Sequence, residues 1–302
     1  MTSEAVNKKP KVKAIKKQKP KKFKFSPGWV FVYIIMLGLV CFTALPLIYL
    51  ICTAFKPLDE LFAYPPQFFV RKPTLKNFTD LLTTVSGSSI PFTRYIFNSL
   101  FTTVFTVAGT VVVSSLGAYG LVIHNPPGSK AIFAVVVAAL MFSAQVTSIP
   151  TYMVINNLGL IDTYWALIVP KLAVAYNFFL MKQFMESFPR DILEAARIDG
   201  ANEWTTFAKI VMPNMKPAWA TLVVFSFISN WNDYMGPLIY TTSQVMKTLP
   251  IALNTIAGGA GTIARTGAMG AASLLTTMPT IIVFTAMKAK VMETMTHSGI
   301  KA

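Results

Sequence analysis

Residues 190–213 read Arg-Asp-Ile-Leu-Glu-Ala-Ala-Arg-Ile-Asp-Gly-Ala-Asn-Glu-Trp-Thr-Thr-Phe-Ala-Lys-Ile-Val-Met-Pro. Asp191 and Glu194 stand at capping-box spacing, so a short helix is expected from Asp191 through Ala195-Ala196-Arg197. Gly200 then supplies the positive φ that stops a helix and turns the chain. Asn202 is placed to cap a second helix, with Trp204, Phe207, Ile210 and Val211 on one face and Pro213 as its end. Between 182 and 216, five acids (Glu186, Asp191, Glu194, Asp199, Glu203) balance five bases (Lys182, Arg190, Arg197, Lys209, Lys216). The pattern is a charge-balanced helix–turn–helix with small alanines open to close approach. Taken alone, it allows two readings, a packing element or a docking surface.

Outward from this loop the chain turns apolar. Hydrophobic residues make up 54% and charged residues only 13%, against roughly 25% charged in soluble domains. Six stretches approach the roughly 20 predominantly apolar residues that a bilayer crossing needs. They are 29–54, 95–123, 131–152, 163–184, 217–240 and 270–288. The expected fold class is an all-α integral membrane protein with six transmembrane helices over residues 28–302. Loop 185–216 joins the fourth crossing to the fifth, and residues 1–27 form a basic cytoplasmic tail, disordered by composition.

Ten lysines precede Phe25 against one acid, Glu4, which leaves only +6 of the net +15 on the rest of the chain. Nucleic acid is therefore excluded as a partner, because the body behind the tail has no basic face. The tail reads instead as a topology anchor beside anionic membrane lipid. With it in the cytoplasm, nineteen basic residues fall on the inner side and seven on the outer, so both termini are expected inside. Cys41 and Cys52 are separated by about 16 Å of helix, beyond disulfide reach. The apolar stretch after the tail is longer than the 7–15 residues of a signal core and has no cleavage site after it.

The string Glu194-Ala195-Ala196-Arg197-Ile198-Asp199-Gly200-Ala201, followed by Phe207, Ile210 and Pro213, resembles the EAA signature of binding-protein-dependent ABC importer permeases. Over about residues 28–302 the chain is similar to the carbohydrate branch of that family, the MalG-like permeases. The matching elements are Phe55-Lys56-Pro57, Asn98-Ser99-Leu100, Ala118-Tyr119, Pro127-Gly128, Ile149-Pro150, Leu158-Gly159-Leu160, Pro189, Trp231-Asn232-Asp233, Pro237-Leu238 and Thr248-Leu249-Pro250. The lysine tail lies outside the resemblance. What the resemblance implies is a type I ABC importer permease (MetI-like) fold in the bacterial cytoplasmic membrane. The implied partners are a second homologous permease subunit, two ATP-binding subunits that carry ATP and Mg, and an extracytoplasmic solute-binding protein. Glu194, Ala195, Ala196, Asp199 and Gly200 would form a coupling helix seated in the ATPase. Gly259, Gly261 and Arg265, in the outer loop 241–269, would reach the solute-binding protein. No Walker-type Gly-x-x-x-x-Gly-Lys-Ser/Thr loop occurs, so the chain is expected to be no enzyme and to hold no cofactor or metal of its own.

Lys171 departs from the family pattern, which usually has an uncharged residue there. Counted inward from Asp162 it lies about 13 Å along a helix, near mid-membrane, where a charge costs about 2.5–3.5 kcal/mol. Two readings stand. Lys171 pairs with backbone carbonyls or with Asp233 across the bundle, or it lines the translocation path and favours an acidic, uronate-bearing sugar. Asp233, which stands with Asn230 and Asn232, likewise either caps the break before Gly236-Pro237 or lines the path with Trp231, Asn232 and Tyr234. Tyr176 and Asn177 are similar candidates, since sugars favour hydroxyl partners and aromatic stacking. His124 reads as an interfacial surface residue. The expected function is the permease subunit of an ATP-driven importer of a sugar or oligosaccharide, with polyol phosphate as the alternative solute. A secondary transporter is disfavoured, because no inverted repeat is evident and few charges lie in the spans.

Overall fold

A computed structural model of the chain describes residues 27–84, 90–258 and 266–298, and helix is the only regular secondary structure among them. The chain divides into two units, residues 1–47 and 48–302. The described part of the first is the start of α1 (Pro27–Phe55). Its side chains are exposed all round, Phe42 by 72%, as suits a helix that is apolar on every face and lies in lipid.

In the second unit the end of α1 anchors the segment after it. Lys56 is buried and its Nζ donates to the Gln67 carbonyl. Asn77, on α2 (Lys76–Thr84), donates from Nδ2 to the carbonyls of Ala54 (2.9 Å) and Lys56 (2.7 Å). Next come α3 (Phe92–Val122), α4 (Ser129–Ala139), α5 (Ala144–Asn157), α6 (Tyr164–Ile168) and α7 (Ala175–Glu186). The loop helix α8 (Arg190–Ile198) precedes α9 (Lys216–Trp231), α10 (Met235–Tyr240), α11 (Leu249–Gly258) and α12 (Thr266–Ser298).

Among the described residues, three helical segments are long and apolar enough to cross a membrane: Gly28–Phe55, Phe92–Val122 and Thr266–Val291. Two bent pairs bring the number to five if each pair is one crossing: α4 with α5, bent by 111°, and α6 with its following turn and α7, bent by 43°. The expected third and fourth crossings are thus not single straight helices. The fourth breaks because Pro170 sits in a 3₁₀ turn, Val169–Lys171, and Val174 is extended before α7. The third breaks at Ser143, which is extended before α5. The expected fifth stops at Trp231, and its remainder is the short α10.

Helix α3 packs against α7 and α9, and α9 packs against α12. Two apolar clusters lie along α3. One gathers Phe92 and Tyr95 with Leu81, Trp231, Leu249 and Ala271. The other, toward the far end, gathers Ala118 and Tyr119 with Met181, Met185, Leu193, Val211 and Leu222. Between them the buried face of α3 is made of hydroxyls, Thr102, Thr103, Thr106, Thr110, Ser114 and Ser115. Leu100, Val104, Phe105 and Val112 point outward. An apolar outside around a polar inside inverts a soluble helix and fits a span that faces lipid on one side and a cavity on the other.

Candidate functional site

Two sites come into view, the 190–215 loop and a cleft at the polar middle of α3. In the loop, α8 begins at Arg190 after an extended Pro189, and no side chain caps it. The expected Asp191 capping box is therefore absent. Asp191 instead lies inside the first turn, and Arg197 in the last, each at the end of the macrodipole that favours its charge. Gly200 has φ +77°, and around it the N–H groups of Asp199, Gly200 and Ala201 donate back to Ala195, Arg197 and Ala196. Asn202 caps the next turn as expected, its Oδ1 accepting the Thr205 N–H at 2.8 Å.

Beyond that cap the chain does not form one regular helix. Residues Thr206–Val211 form a π-helix and Pro213 lies within a further turn, Met212–Asn214, so the proline does not end the element. The π register turns Val211 and Phe207 into the cluster with Leu193, while Trp204 is left 71% exposed. The expected four-residue apolar face is thus split. Of the two alanines, Ala195 is exposed and Ala196 is buried, so Ala196 supports the helix from within and is not open to a partner. Glu194, Asp199, Gly200 and Ile198 are exposed, Ile198 by 86%.

Glu203 fastens this loop to the end of α3. Tyr119 donates Oη to its Oε2 at 2.7 Å, with His124 Nε2 at 3.5 Å and an Arg197 nitrogen at 3.7 Å. The sequence counts Glu203 only among the loop's charges. Its one local signal is a place beside the Asn202 cap.

The cleft has a volume of about 450 Å³ and is walled by α3, α7, α9 and the two breaks after Val169 and Trp231. Lys171 stands in it with Nζ at 2.5 Å from both Asp233 Oδ2 and Asn230 Oδ1. The two charged side chains are 24% and 19% exposed. Thr110 Oγ1 donates to the Lys171 carbonyl at 3.0 Å, satisfying an acceptor freed by the break. Asp233 Oδ1 accepts the Gly236 N–H at 3.1 Å. A Cβ on residue 236 would strike that carboxylate, so the glycine is what lets it fold back. Lys171 thus pairs with Asp233, Asp233 caps the break through Gly236, and both side chains face the cleft.

Tyr176 and Asn177 also line the cleft, Tyr176 edge-on to Phe225 and Asn177 bonded to Ser226 Oγ at 3.2 Å. Trp231 does not. It is buried, stacked on Phe227, and donates Nε1 to the Thr276 carbonyl at 2.8 Å. Asn232 faces a separate cleft of about 320 Å³ beside Tyr234, Asn254 and Ser273. The end of the helix explains the split: α9 stops at Trp231, and the turn that follows carries 232 and 233 out of its register, so the three side chains point three ways. Asn230, one turn of α9 beyond Ser226, lines the cleft as well.

The model of the family described as "Binding-protein-dependent transport system inner membrane component" matches residues 110–293. This chain belongs to that family. The permease is 30% identical over 256 residues to the arabinooligosaccharides transport system permease protein AraQ of Bacillus subtilis, covering 85% of this chain and 90% of that one. It is 34% identical over 234 residues to the polygalacturonan/rhamnogalacturonan transport system permease protein YtcP of the same organism, covering 75% and 76%. Its fold matches a chain in the crystal structure of a bacterial ABC transporter involved in the import of the acidic polysaccharide alginate. The TM-score is 0.76 at 23% identity, over 89% of this chain and 99% of that one.

Several of the permease's matching dipeptides have a visible physical task. Asn98 donates Nδ2 to the carbonyls of Val245 (2.7 Å) and Lys247 (2.8 Å), and Ser99 Oγ accepts the Leu249 N–H at 2.8 Å. Asp162 Oδ1 accepts from Thr242 N–H, Ser243 N–H and Ser243 Oγ at 2.9–3.0 Å. Partial burial pushes that carboxyl up, and the Ser243 and Thr242 donors outweigh it, so Asp162 sits below the ordinary carboxylate range. The segment 241–249 is thereby clamped to α3 and to the turn before α6. Gly259, Gly261 and Arg265 lie outside the described residues, as does the lysine tail.

Proposed function

We propose that the chain is one of two permease subunits of an ATP-driven importer that passes a sugar or oligosaccharide delivered by an extracytoplasmic solute-binding protein. The observation that carries this reading is the extent of the likeness to AraQ and YtcP, whose names specify arabinooligosaccharides and polygalacturonan or rhamnogalacturonan. The cleft adds support: hydroxyls, amides and an aromatic face around one ion pair suit a ligand made of hydroxyls and ring faces. Six crossings are completed by counting α4–α5, α6–α7 and α9–α10 as one interrupted crossing each. Breaks at membrane depth are tolerated where backbone lines a cavity or is buried in protein. Both termini lie in the cytoplasm, and residues 1–27 hold that orientation beside anionic lipid.

ATP and Mg belong to two partner subunits, and α8 is the element that docks on them. Its exposed Glu194, Ala195, Asp199 and Gly200, with Ile198 and Trp204 bare beside them, offer charge and apolar area together. A short helix closed by the Gly200 turn and stapled through Glu203 to α3 suits the passing of rigid-body motion. In the reconstituted complex, Glu194→Lys and Gly200→Val are expected to leave subunits assembled and ATP hydrolysis running while uptake of labelled oligosaccharide is lost. Normal uptake in both variants overturns the docking assignment. Unimpaired uptake of arabino- and galacturono-oligosaccharides in cells lacking this chain overturns the transport reading.

A further inference from the structure

We propose that Asp233 is a resident counter-ion that occupies, on Lys171, the place of a substrate carboxylate, so that the cleft selects acidic oligosaccharides by exchanging one carboxylate for another. The inference rests on the oligosaccharide reading above and adds the charge of the substrate.

Lys171 holds an ammonium in an apolar environment with 24% of its side chain open to a cleft. Of its three N–H donors, two are used, on Asp233 and Asn230. A neutral sugar can meet Lys171 only with the ion pair intact, because a hydroxyl that displaced Asp233 would leave two unpaired charges behind. A uronate replaces a charge-assisted bond by its equal.

The neighbours suit such an exchange. Asp233 is held twice, by Lys171 through Oδ2 and by the Gly236 N–H through Oδ1, so its carboxylate keeps a donor when Lys171 releases it. Gly236 makes room for the carboxylate on Lys171, since a Cβ there would run into Oδ2 and push it off the ammonium. Beside the ammonium, Asn230 carries a buried Nδ2 with no acceptor. A buried amide donor without a partner is costly, and a carboxylate arriving at Lys171 supplies the missing acceptor. Tyr176, 44% exposed on the same cleft, offers a ring face to the sugar.

The test uses the complete transporter in proteoliposomes with its solute-binding protein. The probes are an oligogalacturonate and a neutral arabino-oligosaccharide of equal length. Each variant's acid-to-neutral import ratio is divided by that of the wild type, so the preference of the binding protein cancels. Asp233→Asn, which frees Lys171 without changing shape, is expected to raise the ratio about tenfold, the order of one charged hydrogen bond gained. Gly236→Ala, which crowds the carboxylate and leaves every charge in place, is expected to move the ratio in the same direction. Lys171→Gln/Asp233→Asn, which removes both charges, is expected to bring it below the wild-type value. An unchanged ratio in the two single variants, with import otherwise intact, makes the pair a structural staple and overturns this inference alone. A wild type that imports neither probe overturns the oligosaccharide reading itself.

Discussion

Asn98 is fully buried and uses both of its amide donors as well as its carbonyl oxygen. Beyond the two carbonyls of the 245–247 segment, its Oδ1 accepts from Tyr164 Oη at 2.7 Å, and Arg94 donates to that same hydroxyl at 3.2 Å. Asn98→Ala removes three hydrogen bonds and orphans their partners, at about 1 kcal/mol each or somewhat more where a buried group is left unsatisfied. The expected result is a loss of roughly 3 kcal/mol, read as a lowered melting temperature of the detergent-solubilised protein. Asn98→Asp, which sets a buried carboxylate oxygen against the Val245 and Lys247 carbonyls, should be at least as damaging. Nothing about Asn98 in the sequence foretells these partners, since they lie 147 and 149 residues away. Only its place in a family dipeptide marks it. Lys171 is legible for the opposite reason: a lone charge in an apolar run must have a partner, and Asp233 is one of the candidates. Trp231 misleads because an aromatic beside Asn-Asp is equally at home in a core, and no single sequence says which way a side chain points where its helix ends.

At the scale of elements, the turn at Gly200 and the cap at Asn202 follow from local chemistry and are present in the structure. The start of α8 is not where Asp191 and Glu194 suggest, because Pro189, extended in backbone, already fixes the entry one residue earlier. The π segment before Pro213 is out of reach of any pattern of period 3.6, since it changes that period. Its consequence is that Phe207, Ile210 and Val211 pack without Trp204, and Glu203 adds a tie to α3. Glu203 is half-exposed, so its ion pair with Arg197 contributes under about 1 kcal/mol. The Tyr119 hydrogen bond is the stronger tie. Glu203→Gln retains that bond and is expected to change little. Glu203→Ala loses it, and hydrogen exchange of the amides between 199 and 206 should then speed up several-fold while α3 and α9 keep their protection. Equal protection in both variants would assign the loop's order to packing alone.

For the molecule as a whole, composition and apolar run length place α1 and α3 within a few residues of their bounds, and the start of α12 likewise, while α12 runs on past the expected 288 to Ser298. They miss the breaks in between, because hydropathy averages over a proline turn or one extended serine. The same arithmetic gives the orientation, which neutralising the tail tests directly. With a C-terminal green fluorescent protein the intact chain should glow, whereas a periplasm-dependent phosphatase at the same terminus should be silent. Replacing the ten lysines before Phe25 with glutamine should weaken that contrast without abolishing it, since the 182–216 loop retains its bases. Active phosphatase on the unaltered chain would invert the map. Helix α3 is tied at both ends. Its first turns are bonded to segment 245–249, and its last turns, through Tyr119, to Glu203. At about 1.5 Å per residue, these two attachments are the opposite tips of a single stiff lever, with the Lys171 cleft at its fulcrum. A tilt imposed on either tip cannot be absorbed locally; it reaches the other, and on the way it changes the width of the space in which the ion pair stands.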